Sequence, residues 1–188
     1  MNVVILSGST VGSKTKLAME LVSRKVAALY PEAEITFIDL AQKQLVFSDG
    51  RNYFEYEGDT KFVTESIMRA DAIIIGTPIF QASIPGSLKN VFDLLPVDAL
   101  REKVVSIVVT AGSAKHYLIV EQQLKPILSY MKAHIVPTYV FIEEADFLRT
   151  DIINDDVHFR MDRLVEDTMY TIEALDIIRE KQDAAYDF

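Results

Sequence analysis

Hydroxyl groups, two glycines and one lysine are concentrated in the segment Ser7–Thr15, directly after a short apolar run. The glycines allow a tight turn in which several main-chain N–H groups point inward. The hydroxyls of Ser9, Ser13 and Thr15 can donate hydrogen bonds to an anion, and Lys14 adds a positive charge. A helix that begins here contributes free amides and the positive end of its dipole. The spacing therefore predicts a cradle for a phosphate group rather than a simple capped turn.

A second candidate segment, Gly76–Gly86, also follows an apolar run and precedes a predicted helix. A proline stiffens the exit from the strand, and an aromatic side chain with apolar neighbours offers a flat surface. The polar side chains beside it can bond the polar atoms of a planar ring. We predict a seat for an aromatic heterocycle, formed by Pro78, Ile79, Phe80, Gln81 and Ser83.

A third segment, Thr110–His116, follows the next apolar run and is rich in small residues. Gly112 and Ser113 allow the edge of a ligand to approach the main chain closely. His116 can bond a ligand or be satisfied within its own loop. We assign neither this histidine nor any other side chain a catalytic role.

The segments between these loops show two different periodicities. Continuous β-branched runs predict parallel strands buried on both faces, at 3–6, 35–38, 72–75, 104–109 and 135–142. Apolar steps of three and four residues predict helices within 17–29, 62–68, 88–95, 118–131 and 157–178. The alternation predicts an α/β fold, a three-layer sandwich whose five-stranded parallel sheet has the order 2-1-3-4-5 and helices on both faces.

Strands 1, 3 and 4 of such a sheet end at the same edge, so the three loops that follow them meet there. Ligands of open α/β sheets bind beyond the carboxyl ends of the strands, at the point where the strand order reverses. That point lies between strands 1 and 3. We therefore expect the phosphate cradle and the planar seat to form one site.

Three irregularities are expected within this regular pattern. Pro126 should kink or locally distort the fourth helix, because it has no N–H to donate. Pro137 interrupts the last strand, which predicts a bulge or an edge position. The stretch Ala41–Gly58 has no regular pattern and holds several aromatic residues, so it should either cover a site or pack on its own domain.

Composition limits the classes of protein that fit. A length of 188 residues with 49% hydrophobic residues predicts one domain, spanning 1–188. The net charge of −9 disfavours nucleic acid as a partner, and no apolar run is long enough for a membrane span. The absence of cysteine excludes thiol catalysis and disulfides, and the three histidines lack metal-ligand spacing. We expect a cytoplasmic protein without a metal site.

A rival interpretation concerns the same first loop. The segment Gly8–Thr15 nearly matches the P-loop of nucleotide triphosphatases, and Asp39 could end a strand as a magnesium-supporting aspartate. The match breaks at Ser13, where that motif has glycine. The planar seat at residues 78–83 also has no purpose in such an enzyme, which makes the triphosphatase the weaker alternative.

At these loops the sequence resembles the NAD(P)H-dependent FMN reductases of the flavodoxin-like superfamily, over most of its length. The loop around Gly8-Ser9-Thr10 is similar to the family's phosphate motif. The segments 77–83 and 87–93 resemble its flavin-ring motif, which is the more specific of the two. Residues 93–96, 103–105 and 124–128 are similar to the alkanesulfonate-assimilation subgroup, although Gln122 stands where that subgroup places an inserted tyrosine.

The resemblance implies that FMN phosphate is held by Ser9, Ser13, Lys14 and Thr15, with Val11 at a position where the family often has arginine. It places the flavin ring on residues 78–83 and 112–113. It further implies a homodimer or homotetramer, with a monooxygenase as a possible partner. Hydride would pass from NAD(P)H to N5 of FMN and then to free flavin, a quinone or another acceptor.

Two other activities remain compatible with the residues themselves. A flavodoxin-type electron carrier would bind FMN tightly but oxidise NAD(P)H slowly. A P-loop triphosphatase would be colourless and would require Mg²⁺ with a nucleoside triphosphate. Steady-state NAD(P)H consumption and visible absorbance distinguish these from a reductase.

Overall fold

The central sheet of the computed structural model, which describes residues 1–186, is built from the predicted β-branched runs. Its strands are β1 (Asn2–Ser7), β2 (Glu34–Asp39), β3 (Ala72–Pro78), β4 (Val104–Ala111), β5 (His134–Ile135) and β6 (Val140–Glu143). All pairings are parallel, in the order β2-β1-β3-β4, and both β5 and β6 pair with β4. The predicted order 2-1-3-4-5 is confirmed, because β5 and β6 share the fifth position. Residues 187 and 188 of the predicted domain lie outside the described part.

Helices cover both faces of this sheet, as predicted for a three-layer sandwich. They are α1 (Lys14–Leu29), α2 (Gly58–Arg69), α3 (Gly86–Asp93), α4 (Lys125–Tyr130) and α5 (Asp155–Tyr186). Successive strand residues point to opposite faces, so Val4 and Leu6 of β1 pack with α2 and α3 while Val3 and Ile5 pack with α1 and α5. Each fully buried Val, Leu or Ile side chain contributes about 1.5–3 kcal/mol. The two apolar layers hold the sheet between the helices, and the parallel pairing of β1, β3 and β4 places their carboxyl ends at one edge.

The break in the last strand has a clear geometric form. Ile135 of β5 pairs with Val105 and Val140 of β6 pairs with Val108. Four residues, 136–139, thus lie opposite only two residues of β4. Pro137 lies within these four and cannot donate to the ladder. The prediction of a bulge or an edge position is confirmed in both respects, since this strand is also at the edge.

The fourth predicted helix is irregular for a related reason. A π-helical turn, Val120–Leu124, precedes α4, and Pro126 lies in the first turn of α4. Pro126 has no N–H for the carbonyl group four residues earlier, so the regular α-helical ladder cannot continue through this point. The predicted distortion is confirmed, and it surrounds Gln122.

The aromatic stretch 41–58 forms only two short 3₁₀ turns, Leu40–Gln42 and Tyr53–Glu55. It is attached to its own domain, because Tyr56 is buried and Asn90 of α3 bonds the main chain at Val46 and Ser48. Phe47 nevertheless remains 83% exposed. Packing on its own domain is thus the alternative that the structure favours for most of this stretch.

A short antiparallel hairpin, β7 (Phe147–Leu148) with β8 (Asp151–Ile152), joins the sheet to α5 and was not predicted. Two-residue strands carry no readable periodicity, because alternation needs at least four residues. Over residues 1–186, none of the helices has the length and apolar character needed to cross a membrane.

Candidate functional site

A cavity of about 360 Å³ opens at the carboxyl ends of β1, β3 and β4, beside the point between β1 and β3 where the strand order reverses. Its size falls in the range of small-molecule sites, about 300–1,000 Å³. The loops after the three strands meet around it, as the strand order predicted. The residues that line it are Val11, Gly12, Ser13, Lys14, Thr15, Pro78, Ile79, Phe80, Thr110, Ala111, Gly112, Glu144 and Phe147.

The first loop presents the amino end of α1 to this cavity. Gly12 has a φ of +79°, a left-handed conformation that lets the chain turn sharply into the helix at Lys14. Within residues 1–186, no side chain caps the first turn of α1, so its amides are available to an anion. Ser13 is exposed at the cavity wall, and the buried Thr15 hydroxyl is 2.7 Å from the Thr110 hydroxyl. The wall therefore combines a helix dipole with hydroxyl donors.

Ser9 does not contribute a hydroxyl donor to the cavity wall. Its hydroxyl donates to the Val11 carbonyl group at 2.6 Å and accepts from the Val11 amide at 3.3 Å. Ser9 is buried and lies outside the cavity lining. Its hydroxyl stabilises the turn of the loop. The residue type alone does not distinguish this role from anion binding, because a serine hydroxyl suits both.

The second loop provides a flat apolar wall through Pro78, Ile79 and Phe80. Beyond it the chain makes a tight two-residue turn, because Phe80 and Ser83 exchange two main-chain hydrogen bonds of 3.0 Å. Gln81 and Ala82 occupy left-handed conformations, with φ of +47° and +57°. Strained non-glycine residues of this kind persist where the surrounding structure holds them, often at functional sites.

Two polar residues predicted for the ring seat lie elsewhere. Gln81 is at the tip of the tight turn and is exposed, and the Ser83 hydroxyl has a 3.4 Å contact with Gln123. Neither residue lines the cavity. Gln81 is one of the two central residues of the tight turn, whereas Ser83 is the residue that closes it by pairing with Phe80.

The third loop contributes Thr110, Ala111 and Gly112 but not Ser113. The chain leaves the cavity after Gly112 and enters a 3₁₀ turn, Ala114–His116, in which His116 is exposed. Within residues 1–186, no group of three or more His, Asp or Glu side chains comes close enough to hold a metal ion.

Two residues of the cavity wall were missed by the sequence analysis. Glu144 and Phe147 follow β6, whose carboxyl end lies at the same edge of the sheet as those of β1, β3 and β4. Lys14 forms an ion pair with Glu144, and its Nζ lies 5.3 Å from the centre of the Phe147 ring. The sequence did offer a signal, because Glu143 and Glu144 directly follow the last predicted strand. The loop after a fifth parallel strand also reaches the edge of the sheet where ligands bind.

Asp39, the residue of the rival interpretation, ends β2 as that interpretation expected but does not line the cavity. Its carboxylate pairs with Lys16 at 3.2 Å and accepts a hydrogen bond from the Ala41 amide at 3.1 Å. Lys16 ties the strand end to α1, and the Ala41 amide ties it to the 3₁₀ turn that follows. This accounts for the buried carboxylate as a structural group.

The fold and the cavity at its switch point define a flavodoxin-like nucleotide-binding architecture. A family model described as NADPH-dependent FMN reductase matches residues 1–146. The chain belongs to this family and is an oxidoreductase of the FMN reductase type.

Individual relatives are consistent with this membership. An NAD(P)H-dependent FAD/FMN reductase of Geobacillus thermodenitrificans is 39% identical over 171 residues, 90% of this chain and 92% of the relative. The NADH-dependent FMN reductase SfnF of Pseudomonas fluorescens is 29% identical over 86% of each chain. Among solved structures, the apo form of an NADH:FMN oxidoreductase (EMOB) superimposes with a TM-score of 0.77 at 26% identity, covering 90% of this chain and 89% of that one.

Proposed function

We propose that the chain binds FMN in the cavity at the carboxyl ends of β1, β3 and β4 and uses it to oxidise NAD(P)H. One observation carries the proposal: the uncapped amino end of α1 and the flat wall Pro78–Phe80 border the same cavity. An anion site joined to an apolar planar surface has the chemistry of a flavin mononucleotide. When bound, FMN supplies the acceptor for the nicotinamide hydride.

The phosphate would lie against the first turn of α1, where the Ser13 hydroxyl and Lys14 border the cavity. A phosphate monoester carries about −1.5 to −2 charges at neutral pH. Lys14 supplies one positive charge, which it already shares with Glu144. Main-chain amides and the helix dipole must therefore provide most of the stabilisation, so the site depends on backbone geometry more than on side-chain charge.

The ring would rest on the second loop, with Pro78, Ile79 and Phe80 on one side and Gly112 near its edge. Phe80 is 40% exposed, which leaves apolar surface for a planar group to cover. Among the described residues that line the wall, Lys14 and Glu144 are the only ones with ionisable side chains, and each neutralises the other. The residues of this site therefore bind and orient, and none is required to donate or accept a proton.

Binding and turnover test the proposal directly. Titration with FMN should quench flavin fluorescence, and steady-state assays should show NADH or NADPH oxidation that depends on added flavin. Ser13→Asp places a carboxylate at the expected phosphate position and should weaken FMN binding by about tenfold or more, corresponding to about 1.4 kcal/mol. Riboflavin, which lacks the phosphate, should bind this variant as it binds the wild type.

Ser129→Asp is the matched control, because Ser129 is an exposed residue of α4 outside the cavity. It introduces the same charge and should leave FMN affinity unchanged. Failure of the wild-type chain to bind FMN at any concentration would refute the proposed function.

We also propose that the chain forms a homodimer or homotetramer. In support, Phe92, Leu95 and Ile127 line an apolar groove of about 470 Å³ between the end of α3 and α4. Val97 and Tyr130 border it and are 59% and 67% exposed. Light scattering after size exclusion should give a multiple of 21.2 kDa, and Tyr130→Glu should reduce it.

Free flavin is the electron acceptor that we propose first, with quinones as further substrates. Transfer of reduced flavin to a partner monooxygenase is tested by whether this chain supports such an enzyme with NAD(P)H as the only reductant. We place the protein in the cytoplasm, where the reduced nicotinamides that it would consume are regenerated.

A further inference from the structure

An acidic segment follows β6 and lies on the side of the cavity where the flavin phosphate is proposed to bind. Glu143 is the last residue of β6, and the 3₁₀ turn Glu144–Asp146 follows it immediately. Of these residues Glu144 lines the cavity, together with Lys14 of the first loop. A carboxylate therefore faces the position proposed for the phosphate group.

The neighbours of Glu144 hold it in place. The Glu143 carboxylate accepts a hydrogen bond from the Ala114 amide at 3.1 Å. The Asp146 carboxylate accepts from the Glu143 amide at 2.8 Å and from the Asn154 side chain at 2.7 Å. Both flanking carboxylates are thus used to fix the turn. The Glu144 side chain is left directed at Lys14, with which it forms an ion pair.

Lys14 is constrained from two sides. Its ammonium group pairs with Glu144 and lies 5.3 Å from the centre of the Phe147 ring, which belongs to β7. Both partners come from the segment after β6, far from the first loop in the sequence. Lys14, the one cationic side chain that the described residues bring to the cavity wall, is therefore already paired with an anion.

We propose that Glu144 competes with the flavin phosphate for Lys14 and thereby keeps FMN exchangeable rather than permanently bound. This inference rests on the proposed function, since it concerns the same site. A phosphate that bonds Lys14 must share it with the carboxylate or displace it. Exposed ion pairs are weak, so the competition lowers affinity without preventing binding.

Glu144→Gln removes the carboxylate charge and keeps the shape of the side chain. We expect FMN to bind this variant about three- to fivefold more tightly, the range of a partly exposed ion pair, with a correspondingly slower dissociation rate. Riboflavin affinity should change by less than about twofold, because riboflavin has no phosphate to compete. Fluorescence titration and stopped-flow displacement measure both quantities.

Asp151→Asn provides the matched control. Asp151 is an exposed acid of β8 in the same hairpin and lies outside the cavity lining, so its substitution removes the same charge without touching Lys14. FMN affinity should remain at the wild-type value. An equal gain for Asp151→Asn would show that general charge, rather than competition for Lys14, sets the affinity.

A double-mutant cycle tests whether Lys14 is the group for which Glu144 and the flavin phosphate compete. In a Lys14→Gln background, the gain from Glu144→Gln should shrink to less than about twofold, because no cation remains to be released. A gain that persists there, or no gain in the wild-type background, would overturn the inference while leaving FMN binding intact. Absence of FMN binding by the wild-type chain would instead refute the proposed function.

Discussion

At the scale of single residues, two glycines allow strands β1 and β3 to meet at the switch point. The Gly8 amide donates to the Gly76 carbonyl group at 2.7 Å. A Cβ atom on Gly8 would lie 2.8 Å from that carbonyl oxygen, and one on Gly76 would lie 2.3 Å from Met19. These distances are shorter than atoms tolerate, so the loop that leads to the cavity requires glycine at both positions.

Gly8→Ala should therefore destabilise the protein by about 1–3 kcal/mol, the usual cost of forcing extra volume into a packed site. The measurement is urea unfolding followed by circular dichroism. Gly86→Ala is the control, because a Cβ there meets no described atom within 4 Å and its φ is not left-handed. Its free energy of unfolding should stay within about 0.5 kcal/mol of the wild type. Equal stability of the two variants would contradict the packing described for Gly8.

At the scale of elements, Tyr139 connects the interrupted edge strand to the turn that precedes the irregular fourth helix. It lies in the break between β5 and β6 and is 6% exposed. Its hydroxyl donates to the Tyr117 carbonyl group at 2.8 Å, and the two rings are 5.1 Å apart. Burial of the phenol, followed by its contact with Tyr117, raises the pKa of Tyr139 above its usual value of 10.0. The neutral phenol is thus part of the packing between these elements.

The raised pKa has a defined effect on stability. Above pH 10 the tyrosine of the unfolded chain ionises first, so the contribution of Tyr139 to stability is complete below that pH and is lost as the pH rises further. Tyr139→Phe should cost about 0.5–1.5 kcal/mol at pH 7, through the lost hydrogen bond, and should make the fall in stability above pH 10 shallower. Denaturant unfolding at a series of pH values tests this.

Tyr170→Phe serves as the comparison for this experiment, since Tyr170 is 58% exposed on α5 and lies outside the groove of the proposed subunit interface. It should leave both the neutral stability and the alkaline slope unchanged. If Tyr139→Phe gave the same alkaline slope as the wild type, the phenol of Tyr139 would not be the titrating group.

At the scale of the whole molecule, charge opposes the proposed ligands. The chain carries a net charge of −9, and the lysine of the cavity is paired with a carboxylate. FMN and the nicotinamide nucleotides are also anions. Long-range repulsion therefore slows their approach, while short-range amides and the apolar wall hold them once bound.

Salt should accordingly accelerate the association of FMN. Raising the ionic strength from about 0.02 M to about 0.2 M shortens the Debye length and should increase the association rate constant about two- to fivefold. Riboflavin is uncharged and should associate at a constant rate over the same range. Stopped-flow fluorescence provides both rates. An association rate of FMN that falls with salt would mean that a local positive field dominates the approach.

The sequence by itself determined the strands, their order and the meeting of three loops. Parallel strands buried on both faces leave continuous β-branched runs, as at 72–75 and 104–109, and the alternation with helices restricts the topology. Local chemistry also located the irregularities, because Pro126 and Pro137 act on their own segments. The order of the strands alone predicts that one cavity is bordered by residues of the first two loops, namely Ser13, Lys14, Pro78 and Phe80.

Only the tertiary structure decided which side chains face the cavity. Ser9 turns its hydroxyl to Val11, and Gln81 is exposed at a tight turn outside the cavity lining, although both residue types suit a ligand. Glu144 and Phe147 reach Lys14 from more than a hundred residues further along the chain. The orientation of a side chain depends on the exact turn that carries it and on partners distant in sequence, and neither leaves a periodic signal in the sequence.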